Sequence, residues 1–271
     1  MYKLLIVTDR EDIRQMFETQ VDWAKLNFRT PRIVDNAESA IELMNTKAVD
    51  AVGLHLPKAK AASLVRFLNY GRPSLPIFAV YASLEKQLNV LKDTSHLLDK
   101  LHQDFADDVY DEETMLTIQR DELIHNMLSG EYSDWERLES LLKLTRLRIN
   151  PKGTCVLYEI DMPQGDVFSD HHYHAQSRLE RALRNNFFGR YVDGIYYAVA
   201  VLTPRHVRLV CIPMMNEAQE DAERFAARAD EHVQDAISRI QEYLDLDMEV
   251  TESAWLQGLQ EFIENAKAIT E

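Results

Sequence analysis

The sequence predicts an α/β domain followed by an α+β domain, with helices joining the two. Three observations lead to this prediction. Short apolar runs alternate with amphipathic segments over residues 1–90, strand patterns are scarce over residues 93–149, and strands and helices return in a different order in the remainder. A chain of 271 residues is long enough for about two domains. We therefore expect boundaries that give residues 1–106, 107–150 and 151–271.

Four apolar runs of the first domain are predicted to form a parallel sheet. They are residues 4–7, 32–34, 49–56 and 75–81. The first run is continuously apolar, as in a strand buried on both faces, and amphipathic helices lie between the runs. Thr8 or Asp9 is predicted to cap the first helix, and Asn36 the second. This alternation indicates a parallel sheet with helices on both faces, in which no fifth strand is recognisable.

Polar side chains follow three of these strands, and ligands of such sheets bind at the carboxyl ends of the strands. A second distinctive feature of this domain is the segment 21–28, which follows the first predicted helix. Its sequence is Val-Asp-Trp-Ala-Lys-Leu-Asn-Phe. Residues 1–90 resemble the receiver domain of a two-component response regulator. Segment 21–28 is similar to AraC-type (YesN-like) members, in which a Trp and a Leu-Gly-Phe turn follow the first helix. Asn27 takes the place of that Gly and tolerates the left-handed conformation. The resemblance implies a CheY-like, flavodoxin-like fold.

The same resemblance implies a phosphorylation pocket, from which this sequence departs. A working receiver has an acidic pair that binds Mg²⁺, an Asp that accepts the phosphoryl group, a Ser or Thr, and a Lys. Thr8 and Asp9 stand at the acidic pair, His55 at the acceptor and Tyr81 at the hydroxyl position, and the Lys is not recognisable. We expect a degenerate pocket that is not switched by aspartyl phosphorylation and holds no cofactor. His55 is interpreted as a polar side chain that fills space; phosphorylation on its nitrogen is the alternative.

The middle of the chain is predicted to be helical. We expect helices over residues 93–104, 112–128 and 133–148, with an acidic hinge over 107–113 and a stop at Ser129-Gly130. The last two helices resemble the connector of the same regulator family, which has a Gly-Glu turn between its helices. Apolar residues exceed what one helical stripe needs, so four are candidates for a dimer surface: Met115, Ile118, Leu123 and Met127. Packing within the chain is the alternative.

The remaining residues predict the order β-α-β-β-α-β-α, a ferredoxin-like or nucleotidyl-cyclase-like plan. The elements are expected over residues 154–162, 171–188, 191–202, 206–213, 216–244, 246–250 and 254–268. This plan and its position resemble the GGDEF-like middle domain of AraC-type regulators. Asp161 and Asp193 match the metal-ligand and hairpin positions of a diguanylate cyclase, but the hairpin lacks the required glycines and second acid. We therefore expect no cyclase activity, and no other motif indicates an enzyme.

Two further features raise the question of a metal or a disulfide. Asp170, His171 and His174 share a helix face, but no second cluster of ligands completes a site. We interpret them as a solvated helix terminus without a metal. Cys155 and Cys211 lie in apolar runs and are predicted to be buried, reduced thiols in strands.

The composition excludes several classes of protein. There are 45 acidic and 30 basic residues, and the resulting net charge of −15 repels phosphate backbones. The apolar run at the start is too short for a signal peptide, and no stretch approaches the ~20 residues that span a bilayer. We expect a cytoplasmic protein that does not associate with membranes.

Together with the resemblance, these features predict a transcriptional response regulator of a two-component system. Its receiver is not phosphorylated, and it acts through protein–protein association. The expected partners are a second copy of the chain, forming a homodimer, and a sensor kinase or another regulatory protein. The family usually carries a C-terminal helix-turn-helix domain, so DNA contact is expected only through a domain absent from this chain. The alternative is a stand-alone interaction or ligand-sensing protein without DNA output.

Overall fold

The computed structural model describes residues 1–103, 111–166, 175–215 and 221–270. Contacts between residues divide the chain into two units. Unit 1 comprises Met1–Asp121 and Glu136–Leu147, and unit 2 comprises Glu122–Trp135 and Arg148–Glu271. The helical segment expected at residues 107–150 is therefore shared between the units.

Unit 1 contains a four-stranded parallel sheet with the strand order β2-β1-β3-β4. Its strands are β1 (Leu4–Thr8), β2 (Arg32–Val34), β3 (Ala51–His55) and β4 (Ile77–Ala79). The helices up to residue 147 are α1 (Glu11–Thr19), α2 (Ala37–Thr46), α3 (Lys58–Gly71), α4 (Leu84–Gln103), α5 (Glu112–Leu128) and α6 (Trp135–Leu144). The second half of α5 and the first residue of α6 belong to unit 2. The predicted parallel α/β sheet is confirmed, and the described part of unit 1 has no fifth strand in this sheet.

The continuous apolar run of β1 arises because the sheet is covered on both faces. Leu4 and Ile6 pack into one hydrophobic cluster, and Leu5 and Val7 into the other. All five residues of the strand are buried. Alternate side chains of a strand point to opposite faces, so a strand in the middle of a two-sided core must be apolar at every position.

The predictions for helix caps and for the turn at Asn27 in unit 1 are partly confirmed. Asn36 caps α2 by accepting a hydrogen bond from the Ser39 N–H at 2.8 Å, and Asn27 has the expected left-handed backbone with φ of 63°. The predicted capping of α1 by Thr8 or Asp9 is wrong. Arg10 is the residue at that cap position, without a side-chain cap bond.

The ends of α5 and α6 share one backbone motif. Gly130 follows α5 with φ of 84°, and the Glu131 N–H donates to the Asn126 carbonyl. Arg146 has a φ of 60° after α6, which therefore ends before the predicted residue 148. The Arg146 guanidinium donates to the Leu75 carbonyl at 2.9 Å, so a tertiary contact accompanies a conformation that usually requires Gly.

Unit 2 contains a five-stranded antiparallel sheet with the order β6-β7-β8-β5-β9. Its strands are β5 (Cys155–Asp161), β6 (Tyr191–Val192), β7 (Ile195–Thr203), β8 (His206–Pro213) and β9 (Glu249–Leu256). Its helices are α7 (Ala175–Ala182), which a π-helical turn continues to Phe187, α8 (Ala222–Leu244) and α9 (Leu259–Thr270). The structure as a whole is mixed α/β, with one parallel and one antiparallel sheet.

Three boundaries in unit 2 differ from the prediction. The strand expected over residues 191–202 is interrupted by a tight turn at Asp193-Gly194, where φ is 47° and 74°. The last strand extends to Leu256 instead of ending at residue 250, because it pairs with β5 along its length. Helix α9 consequently begins at Leu259. The predicted starts of two helices, over residues 171–174 and 216–220, lie outside the described residues.

The core of unit 2 lies between the sheet and helices α7 and α8. Alternate residues of β5, including Tyr158, pack against α8. Cys155 and Cys211 are buried in β5 and β8 and are not joined, as predicted. Burial raises the pKa of the Cys155 thiol to about 12, and that of Cys211 also rises, so both stay protonated.

The outer edge of β7 is closed by side chains from α7 and its continuation. Glu180 accepts a hydrogen bond from the Val201 N–H at 2.9 Å, and Gln176 donates to the Val201 carbonyl. Arg184 donates to the Val199 carbonyl at 3.4 Å. The three side chains are four residues apart and lie on one helix face. Glu180 and Arg184 are buried and form an ion pair at 2.6 Å.

We expect Gly53→Ala to destabilise the protein by about 1–3 kcal/mol, because an added methyl group overpacks a tight core. A Cβ at this position would lie 2.5 Å from the buried ring of Phe78. Urea unfolding measures the loss. Gly71→Ala is the control, since its added Cβ has no neighbour closer than 3.8 Å. Equal stability of the two variants would contradict the packing argument.

We expect Glu180→Ala to lower the free energy of unfolding by about 3 kcal/mol, since it removes the carboxylate of a buried ion pair. The substitution also removes the acceptor for the Val201 N–H. Chemical denaturation is the measurement. Glu242→Ala, at an exposed position of α8, should change stability by less than about 0.5 kcal/mol. A loss below about 1 kcal/mol at residue 180 would show that the network is not stabilising.

Candidate functional site

The candidate pocket of unit 1 lies where β1 and β3 end. Thr8 and His55 are in register on these neighbouring parallel strands, and Asp9 follows Thr8 directly. Tyr81 lies two residues beyond the end of β4, at the same edge of the sheet. The structure thus brings all four predicted positions to the carboxyl edge, where parallel sheets of this type bind ligands.

The two residues after β1 have different surroundings. Thr8 is buried, and its hydroxyl accepts a hydrogen bond from the Arg10 N–H at 3.2 Å. Asp9 forms an ion pair with Lys60 of α3, with Nζ 2.7 Å from Oδ2. The hydrogen bond from Lys60 is the main cause of a lowered pKa of Asp9. The Asp9 carboxylate therefore already has a cation from its own chain.

His55 is the last residue of β3, and its imidazole is partly buried. Its Nδ1 atom is buried and has no hydrogen-bond partner in the described structure. Its charge is a minor contribution to the lowered pKa of Asp9, which places the two side chains close together. The His55 imidazole lies next to the Asp9–Lys60 ion pair and supplies no carboxylate that could accept a phosphoryl group.

Tyr81 is held by groups from α4 and α6. Its N–H donates to Oε1 of the fully buried Gln87 at 2.7 Å. Burial is the main cause of a raised pKa of the Tyr81 phenol, and the carboxylates of Glu139 and Glu136 add to it. The phenol also hydrogen-bonds Ser140. These contacts direct the Tyr81 hydroxyl towards α6.

The two cyclase-related aspartates of unit 2 are not brought together. Asp161 is opposite His206, at the first residue of β8. Asp193 lies in the β6–β7 turn next to Ile195, which is opposite Pro213 at the last residue of β8. Because β8 is eight residues long, the aspartates lie at opposite ends of the strands. Asp161 and Asp193 therefore do not form one cluster of carboxylates.

Both aspartates instead contact basic side chains. Oδ1 of Asp161 lies 3.2 Å from Nδ1 of His206. Oδ2 of Asp193 lies 3.5 Å from Nε2 of His232, whose Nδ1 is 2.6 Å from the Tyr197 hydroxyl. Each carboxylate thus has a local electrostatic role within the fold.

The candidate dimer residues of α5 are mostly buried within the chain. Met115 and Leu123 are 5% exposed and Met127 is fully buried, whereas Ile118 is 40% exposed. Residues 112–121 of α5 belong to unit 1 and residues 122–128 to unit 2. Met115 packs into a hydrophobic cluster of unit 1, and Leu123 and Met127 are buried in the part of α5 that belongs to unit 2. Three of the four candidates are therefore not available for a dimer surface.

The sequence interpretation missed three residues that contribute to these sites. Lys60 was identifiable in principle, since it lies in the first turn of the helix after His55. Gln87 and Glu180 carry no such signal. Their roles depend on contacts with the Tyr81 and Val201 backbones, which only the folded chain creates.

The described residues contain no group of three His, Cys, Asp or Glu side chains arranged to hold a metal ion. The cluster formed by Asp170, His171 and His174 lies outside the described residues. Among the helices that the structure describes, none is sufficiently long and apolar to span a membrane.

No family model and no curated protein matches the chain in sequence. A functional interpretation therefore depends on the residues and geometry of the two units.

We expect Lys60→Met to raise the pKa of Asp9 towards the usual value for an aspartate, because the hydrogen bond and positive charge are lost. In the wild type, the lowered pKa contributes stability above the pKa of the unfolded state. That contribution is lost as the pH falls through the lower folded-state pKa. Carboxyl NMR titration measures the shift. Lys58→Met, in the same helical turn, should leave Asp9 unchanged; an equal shift would contradict the pairing.

Proposed function

We propose that this chain is a regulatory module of the two-component, transcriptional type, whose receiver-like unit acts through protein association. The ion pair between Asp9 and Lys60 is the observation that carries this proposal. In a phosphorylated receiver the carboxylates at this position bind a divalent cation. Here the protein's own ammonium group neutralises the single carboxylate present.

The topology of unit 1 supports a receiver-like, CheY-related fold. The order β2-β1-β3-β4 in a parallel sheet is that of the first four strands of the flavodoxin-like plan. Gln87 and α6 hold the segment after β4 through Tyr81. A phosphate-dependent rearrangement of that segment would have to break these bonds. We therefore propose a constitutive conformation with a fixed surface.

The topology of unit 2 supports a GGDEF-like domain without cyclase chemistry. Apart from the two-residue β6, the order β7-β8-β5-β9 is that of a β-α-β-β-α-β, ferredoxin-like plan. The hairpin next to Asp161 joins β7 and β8 and contains Thr203, Pro204, Arg205 and His206. It lacks an acidic partner for a metal and a glycine that would let a nucleotide approach. A structural or interaction role is therefore proposed for this unit.

The proposed output is association with another protein, either a second copy of the chain or a regulatory partner such as a sensor kinase. Direct DNA binding by these two units is not proposed, because the net charge of −15 repels a phosphate backbone. DNA contact in this proposal belongs to a helix-turn-helix domain of the kind that the resembling family carries.

Phosphorylation is the sharpest test of the proposal. We expect no phosphoryl adduct in intact-mass spectra after incubation with acetyl phosphate and Mg²⁺, because no acceptor carboxylate follows β3. We also expect no beryllofluoride-dependent NMR shifts around His55.

The matched control is the double variant Thr8→Asp/His55→Asp, which restores the acidic pair and the acceptor. It should gain Mg²⁺-dependent shifts at the carboxyl edge of the sheet. A stoichiometric wild-type adduct at His55, including an acid-labile phosphohistidine, would contradict the proposal.

A further inference from the structure

The two edges of the sheet in unit 2 differ in whether side chains of the described chain cover them. The β7 edge is covered by hydrogen bonds from Gln176, Glu180 and Arg184, which occupy its backbone groups. The opposite edge strand, β9, pairs with β5 alone. In the described part of the chain, no backbone hydrogen bond joins β9 to any other element.

Strand β9 is long and exposed for an uncovered edge. It has eight residues, of which only Leu256 is buried. Neither Pro nor Lys, two residues that commonly block edge pairing, occurs in it. A bulge at Thr251 interrupts the register near one end, and residues 252–256 pair regularly with β5. An edge of this kind offers a row of backbone donors and acceptors to another strand.

The charges around β9 specify what kind of strand would fit. Glu252 lies opposite Glu159 of β5, and Glu249 lies opposite Asp161. Like charges directly opposite each other on neighbouring strands are destabilising. The β5 carboxylates are compensated on their other side by β8, with Arg208 Nε 2.7 Å from Glu159.

The β9 carboxylates lack that compensation. Among the described residues, Glu249 and Glu252 form no ion pair or hydrogen bond through their carboxylates, and both are exposed. Across the sheet the charge thus runs from basic on β8 to acidic on β5 and acidic again on β9. A further strand with Lys or Arg next to β9 would give the β9 carboxylates the cationic neighbours that β8 gives to those of β5.

Trp255 adds a contact on the opposite face of the same strand. Its side chain is 54% exposed, although its neighbour Leu256 is buried. An exposed indole ring packs well against the aliphatic part of Lys or Arg and attracts the cation itself. A second copy of this chain is a poorer fit, because it would add two more glutamates and a net charge of −15 to the edge.

We propose that the open edge of β9 binds an extended, basic segment of a partner protein as a sixth strand of this sheet. The backbone of β9 supplies the hydrogen bonds, Glu249 and Glu252 select cationic side chains on one face, and Trp255 packs against the side chains on the other face. This inference concerns unit 2 and does not depend on the receiver-like interpretation of unit 1. Its failure would leave the phosphorylation result unaffected.

The test uses the full chain and three synthetic peptides matched in length to β9. One alternates Lys and Val, the second alternates Glu and Val, and the third alternates Lys and Pro, which keeps the charge but cannot form a strand. Amide chemical shifts locate binding, and titration measures the dissociation constant. The Lys-Val peptide should shift residues 249–256 and bind at least about tenfold more tightly than the other two.

Variants of the chain separate specific pairing from general attraction. Glu249→Gln/Glu252→Gln should weaken Lys-Val binding at least about tenfold. Glu231→Gln/Glu242→Gln removes the same charge from exposed positions of α8 and should change binding less than about twofold. Thermal unfolding confirms that both variants fold. The proposal is overturned if Lys-Pro binds as tightly as Lys-Val, if the shifts lie outside β9, or if the chain sediments as a dimer whose dissociation on dilution shifts the amides of residues 249–256.

Discussion

Polar groups that are removed from water need partners, and both units of this protein are organised by where those partners come from. The backbone of a strand end or strand edge cannot be left unpaired inside a fold. Gln87 meets this need for Tyr81, and Glu180 meets it for Val201. In each case one buried side chain from a helix supplies the hydrogen-bond acceptor for a backbone N–H that no strand accepts from.

The same constraint applies to the polar side chains at the carboxyl edge of the parallel sheet in unit 1. Thr8, Asp9, His55 and Tyr81 lie there. In this chain Lys60 pairs with Asp9, and the Tyr81 phenol bonds to Ser140. Lys60 and Ser140 thus give two of the polar side chains at this edge a partner within unit 1, whereas Nδ1 of His55 has none in the described structure.

The need for hydrogen-bond partners also applies to the backbone groups at the edges of sheets. Where a helix covers the edge, as at β7, the sheet ends there. Where no described residue covers it, as at β9, the backbone remains able to pair. Charge then decides which strand can approach, because Glu252 already lies opposite Glu159. Protein association through an edge strand would need no pocket and no catalytic group, which agrees with the absence of cyclase residues in the hairpin beside Asp161.

The sequence by itself determined that one sheet is parallel and the other antiparallel, where most helices lie, and where several of the helices begin or end. These features depend on neighbours in the chain: the apolar run of β1, the cap at Asn36 and the turn at Gly130 are each read over a few residues. It also placed Thr8, Asp9, His55 and Tyr81 at one edge, because parallel strands end together. Only the tertiary structure decided that Asp161 and Asp193 lie apart, that Met115, Leu123 and Met127 are buried, and that Lys60 pairs with Asp9. Those outcomes depend on strand register and on packing between residues distant in sequence, which local periodicity does not encode.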